Sequence, residues 1–224
     1  MEFENNYDAR VDGNTEIYVK YTNKASCVEY CIGRFKYWLR NDDQKIVALD
    51  VEYTWPRCPT QMAAVVQLCV GIYVLVYHIS VVDEHCGLLA TFLLDEEYTF
   101  VGVDIGNDKK KLKHVGLVVQ NFVDIQNMWR VPDPVTIKPK YGLADYAGSI
   151  IHHSYNKMKD VLTEDDHHMG RSALALEEHL LCFHGHVCHL RRIQAVGELP
   201  EGVRESAPAS RQTIQVVKEV RKEE

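Results

Sequence analysis

Apolar and polar positions along the chain change period several times, and each change marks an element. Ile17, Val19 and Tyr21 alternate with polar neighbours, the period-two signature of a half-buried strand, and residues 7–11 and 16–21 flank the turn sequence Asp12-Gly13-Asn14. The chain is therefore predicted to open on a β-hairpin. The period then becomes helical: Val28, Ile32, Phe35, Trp38 and Leu39 recur at helix spacing, with Thr22 and Asn23 available as caps and an end near Asn41. Residues 46–53 read Ile-Val-Ala-Leu-Asp-Val-Glu-Tyr, four apolar residues that carry a strand into a core before two acids appear. Residues 62–70 and 73–79 are two further runs rich in Val, Ile and Tyr, joined at Gly71, which predicts a second hairpin beside that strand. Leu88, Leu89, Phe92 and Leu93 predict a helix within 87–97, residues 100–105 a buried strand, and Leu112, Val115 and Leu117 a helix that follows Gly106-Asn107-Asp108. Residues 121–125 read as a strand and 141–154 as a helix, and Thr163 is the expected N-cap of another helix, with Glu164 to Asp166 in its first turn. Strands alternating with helices indicate an α/β layered fold.

Composition adds boundaries. With 224 residues, 46% of them hydrophobic, the chain suits one domain with a sizeable core, expected over residues 1–190 with an appendage at either end. From about Gly197 the sequence turns polar, with Pro200, Gly202, Pro208 and many charges, so 191–224 is expected to be a disordered or weakly helical tail. Seven cysteines without regular spacing, and no apolar run long enough for a signal peptide or a membrane span, point to an intracellular, reducing compartment, nucleus or cytoplasm, and to no membrane partner. A formal net charge of −7 exerts no global pull on a polyanion, so nucleic-acid contact would need a local basic patch or bound metal.

The candidate chemistry starts from Asp50 and Glu52. Two positions apart on a strand, they project from one face, and two like charges held that close repel unless a cation lies between them. Hard divalent ions such as Mg²⁺ take oxygen ligands and offset that repulsion. The alternative is a strand ending in two solvated acids. Asp108 lies at or near a helix N-terminus just beyond a strand, where it is either a further acid of the same site or simply the cap. Lys109, Lys110, Lys111 and Lys113 follow it; at a helix start cations oppose the macrodipole, which makes phosphate contact an expectation beside that of a solvated lysine face. Cys182, His184, His186, Cys188 and His189 form a ligand-rich run, but its spacing is not that of a zinc finger.

Together, Val47-Ala-Leu-Asp-Val-Glu-Tyr53, Gln67-Leu-Cys-Val-Gly71, Phe100-Val-Gly-Val-Asp-Ile-Gly-Asn-Asp108-Lys-Lys-Lys-Leu112 and the block from Gly142 to Lys159 resemble the plant Werner-syndrome-like 3′–5′ exonucleases, over roughly residues 7–184. The resemblance implies a ribonuclease H-like fold, a mixed five-stranded sheet flanked by helices, here with an N-terminal β-hairpin. It also implies DEDD chemistry: four carboxylates hold two Mg²⁺ or Mn²⁺ ions on the scissile phosphate, and a tyrosine or histidine serves as base. Asp50, Glu52 and Asp108 match three of the carboxylates.

The third motif departs from the family pattern. Laid on 162–174, it puts Met169 on the catalytic tyrosine and Ala173 on the last aspartate, and neither side chain can take a proton or hold a hard cation. Metal binding should be weakened. Glu177, one helical turn beyond Ala173, and His168 or His167, beside Met169, are the candidate substitutes; a site shared between subunits of a homo-oligomer is another route. Two functions stay open: a pseudo-exonuclease that binds nucleic acid or a protein partner, or an active metal-dependent exonuclease on single-stranded RNA or DNA.

Overall fold

The computed structural model describes residues 2–11, 15–54, 61–82, 86–128, 131 and 141–150. Strand β1 (Glu4–Val11) pairs antiparallel with β2 (Thr15–Thr22), so the opening hairpin is present, with strands longer than predicted. Helix α1 (Ala25–Leu39) follows, burying Val28, Ile32, Phe35 and Leu39 on one side as their spacing requires. Thr22 and Asn23 do not cap it. The Thr22 hydroxyl donates to the Phe3 carbonyl at 2.9 Å, and Asn23 Oδ1 accepts from the Phe3 N–H at 2.7 Å, so both side chains tie down the start of the chain and Lys24 stands at the N-cap.

Strand β3 (Lys45–Tyr53) pairs antiparallel with β4 (Ala63–Val70), which turns through Gly71 into β5 (Tyr73–Tyr77). Gly71 has φ +62°, a left-handed conformation that a side chain disfavours. Helix α2 (Gly87–Leu94) precedes β6 (Tyr98–Gly102), and α3 (Ile105–His114) precedes β7 (Phe122–Asp124). Ile105, predicted as the end of a strand, is instead the first residue of α3, and Ile125 likewise opens α4 (Ile125–Met128). Helix α5 (Leu143–Ile150) matches the first part of the helix expected over 141–154.

The five expected strands form the unit β5-β4-β3-β6-β7. The N-terminal hairpin, expected within the same domain but beside a five-stranded sheet, extends that sheet to a mixed one of seven in the order β1-β2-β5-β4-β3-β6-β7. It joins because β2 lies parallel to β5: Ile17 and Val19 are buried, while Tyr18 stacks on Tyr73 with ring centroids 5.3 Å apart. The main core fills the space between one face of the sheet and α1, α2 and α3, with Val47, Leu49 and Val51 of β3 pointing into it. Ile46 points the other way, into a smaller cluster with Val101, Ile125 and Tyr146. Among the described residues, no helix is long and apolar enough to cross a membrane.

Candidate metal and catalytic site

Asp50 and Glu52 sit at the end of β3 and alternate with Val51, so they share the sheet face of Ile46 rather than that of the main core. Both are half-buried. Across the ladder Asp50 stands opposite Gln67 and Glu52 opposite Val65, after which the register shifts so that Tyr53 stands opposite Ala63. Gln67 is 2% exposed and its Oε1 has no hydrogen-bond partner among the described residues, a buried polar group on the strand position facing Asp50.

Asp108 arrives from α3. The close approach of this region is set by Gly102 at the end of β6, where a Cβ would lie 2.6 Å from the Leu49 carbonyl oxygen. The chain then passes through Asp104, whose φ of 58° is the left-handed conformation, and Asp108 falls in the first turn of α3, 3% exposed. Its Oδ1 accepts a hydrogen bond from the Tyr53 hydroxyl, which in turn accepts one from Asn107 Nδ2 at 3.0 Å. Its Oδ2 is buried and has no partner among the described residues. Burial raises the Asp108 pKa to about 8; Asp50, Asp104 and Glu52 push in the same direction and the Tyr53 hydrogen bond pulls against them. Burial, with Asp108 beside it, also pushes the Tyr53 hydroxyl well above its ordinary range, so Tyr53 is a proton donor here.

Asp50 and Glu52 thus lie near enough to Asp108 to act on its ionisation. Among the described residues, however, no three His, Cys, Asp or Glu side chains are grouped so that they could hold one metal ion. The donor set still fits Mg²⁺ or Mn²⁺. Its ligands are hard carboxylate oxygens, one of them a buried oxygen with nothing to bind, and Mg²⁺ keeps several waters when only one or two carboxylates hold it. Tyr53, Asn107, Asp104 and Gln67 are neighbours of the site that the local sequence pattern did not assign to it. Tyr53 carried a signal: it follows Glu52 directly, so alternation turns it to the opposite face, toward α3.

The lysine run divides. Lys109 Nζ lies 3.3 Å from the Phe122 ring centroid and burial lowers its pKa; Lys111 donates to the Gln61 carbonyl at 3.1 Å and lies 5.5 Å from the Tyr53 ring centroid; Lys110 and Lys113 are exposed. Because α3 begins at Ile105, Lys111 and Lys113 fall in its last turn, where cations favour the helix dipole rather than oppose it. Met169, Ala173, His167, His168, Glu177 and the Cys182–His189 ligand run lie outside the described residues, as does the tail 191–224.

Solved structures share this fold. The chain aligns with Escherichia coli RNase D, an exoribonuclease involved in structured RNA processing, at a TM-score of 0.62 and 14% identity, covering 80% of this chain and 46% of that one. The catalytic core of Trypanosoma brucei RRP6 gives 0.57 and 14%, covering 79% and 48%, and the Aedes aegypti Nibbler EXO domain 0.50 and 13%, covering 73% and 86%. The chain thus spans about half the length of the RNase D and RRP6 chains. At these identities the likeness is one of fold, the ribonuclease H-like exonuclease fold. No curated protein matches the chain. A family model described as 3′-5′ exonuclease matches residues 34–168, which takes in Asp50, Glu52 and Asp108 and stops one residue short of Met169. Since that match covers more than half of the chain and the fold agrees with it, the chain belongs to the 3′-5′ exonuclease family.

Proposed function

We propose that this protein is an exonuclease relative of the Werner-syndrome-like kind that binds single-stranded nucleic acid and a divalent ion, and that cleaves slowly or not at all. The observation that carries the reading is Asp108 Oδ2, a buried carboxylate oxygen without a partner in the field of Asp50 and Glu52. Stability alone gives no reason for such a group, because an unpaired buried acid costs free energy that a hard cation would offset. When bound, Mg²⁺ or Mn²⁺ supplies Lewis-acid neutralisation of phosphate oxygens. Asp50, Glu52 and Asp108 would hold it, while the exposed Lys110 and Lys113, on the same helix as Asp108, are free to meet the strand's backbone. Met169 and Ala173 supply neither a base nor a fourth carboxylate, so ion affinity is weakened on the side of the site that they would have completed.

The test is digestion of a 3′-labelled single strand, RNA and DNA in parallel, with Mn²⁺. The unmodified protein should act at least about 10²–10⁴-fold more slowly than the double variant Met169→Tyr, Ala173→Asp, since a positioned base alone typically contributes that factor. Either change alone should recover little, because the two groups act as a unit. An ordinary enzyme's rate from the unmodified chain, abolished by Glu177→Ala, would overturn the reading and identify Glu177 as the missing ligand. Failure to bind either strand would instead point to a protein-binding role.

A further inference from the structure

We propose that Tyr53 is a positioning residue which, oriented by Asn107, selects the oxygen that Asp108 presents to a divalent ion. The inference rests on reading Asp50, Glu52 and Asp108 as that ion's ligands. Hydrogen-bond direction carries it. An amide nitrogen can only donate, so the 3.0 Å contact from Asn107 Nδ2 occupies the Tyr53 oxygen as an acceptor and leaves its single proton for Asp108 Oδ1. Oδ1 is thereby committed to the protein. Oδ2 is left buried and, among the described residues, unpartnered, the one oxygen of this carboxylate available to a cation.

The tyrosine is itself held in place. Its ring packs against the main core, and Lys111, anchored on the Gln61 carbonyl at 3.1 Å, lies 5.5 Å from the ring centroid. Asn107 and Asp108 are consecutive on α3, so the helix fixes donor and carboxylate relative to each other, while the register shift after Glu52 fixes where Tyr53 leaves the sheet. Phenylalanine would keep the packing and lose the selection. Partners of this sort, which orient a ligand without touching the metal, typically change metal affinity about 10–100-fold when removed.

The experiment is Mn²⁺ binding to the full chain, read by the loss of the free-ion electron paramagnetic resonance signal and by calorimetry, for the unmodified protein, Tyr53→Phe, Asn107→Ala and the double variant. Tyr53→Phe should weaken Mn²⁺ binding about 10–100-fold. Asn107→Ala should weaken it less, and should add nothing in the Tyr53→Phe background, because Asn107 acts only through the hydroxyl; a merely structural pair would not show that dependence. If Tyr53→Phe does not fold, Asn107→Ala alone decides, and unchanged affinity there overturns the proposal. Unchanged affinity in a folded Tyr53→Phe, or simple additivity of the two changes, overturns the proposal and leaves the metal-site reading standing. No Mn²⁺ binding by the unmodified protein overturns both.

Discussion

One carboxyl, Asp108, couples the stability of this fold to pH. In the folded chain burial, helped by Asp50, Asp104 and Glu52, holds its pKa at about 8 against an ordinary value of 3.8, so between those limits the folded state keeps a proton that the unfolded state has released. Stability contributed by a group that binds more protons when folded is full below the unfolded pKa and is lost as pH rises through the folded one. Urea unfolding of the metal-free protein at pH 5 and pH 8 should therefore show lower stability at pH 8 than in Asp108→Asn, which has no proton to lose. A tenfold difference in proton affinity between the folded and unfolded states is worth about 1.4 kcal/mol, so a difference between the two proteins of at least about 1 kcal/mol should appear at pH 8 and shrink toward pH 5. Equal pH dependence in the two proteins would mean that this carboxyl is not desolvated. Mg²⁺ should narrow the pH 8 gap, since a ligand that binds only the folded state stabilises it.

Element by element, the site depends on how closely the end of β6, which leads into α3, lies against β3. Gly102 makes that approach possible: with a Cβ 2.6 Å from the Leu49 carbonyl oxygen, Gly102→Ala must push the end of β6 from β3 and shift the start of α3 with it. Overpacking of this kind costs about 1–3 kcal/mol, readable as a lowered denaturation midpoint. An unchanged midpoint would show that the strands have slack at this point. The lysines of α3 are a second matter of element geometry. Changing Lys109, Lys110 and Lys111 to Ala should reduce the slope of log affinity against log salt by about 0.7 for each lysine that contacts a phosphate of a single strand. If the slope holds, Lys109 belongs to Phe122 and Lys111 to Gln61, as their contacts place them, and neither meets the strand.

For the whole molecule, the sheet is continuous from β1 to β7, so the N-terminal hairpin is a structural part of the fold. Deleting residues 1–23 should strip β5 of its parallel partner, uncover the buried Val74 and Val76 edge, and yield aggregation or a sharply lowered melting temperature in light scattering and circular dichroism. A truncated chain that melts like the full one would show that the fold does not depend on the hairpin. The boundary proposed near residue 190 is tested by limited proteolysis: cleavage confined to 191–224 should leave a folded fragment with the thermal transition of the full chain.

By itself the amino-acid sequence determined the kinds of element, their order and which acids are candidates for the site. Periods of two and of three to four residues are set by local backbone geometry, and a local pattern suffices to announce β3, α1 or the Asp50-Val51-Glu52 face. It did not determine what each residue meets. Thr22 and Asn23 are good caps that the fold spends on Phe3, 19 and 20 residues away, and Tyr53 meets Asp108 across 55 residues. The lysine run looked like one patch because its helix was read as starting at Asp108; the actual start at Ile105 moves Lys111 and Lys113 into the last turn. Contacts at such separations follow from strand order, from register shifts such as the one after Glu52, and from the glycine that lets the end of β6 lie close against β3. None of these leaves a local period to read, because each is settled by which pairings bury the most apolar surface over the whole sheet at once.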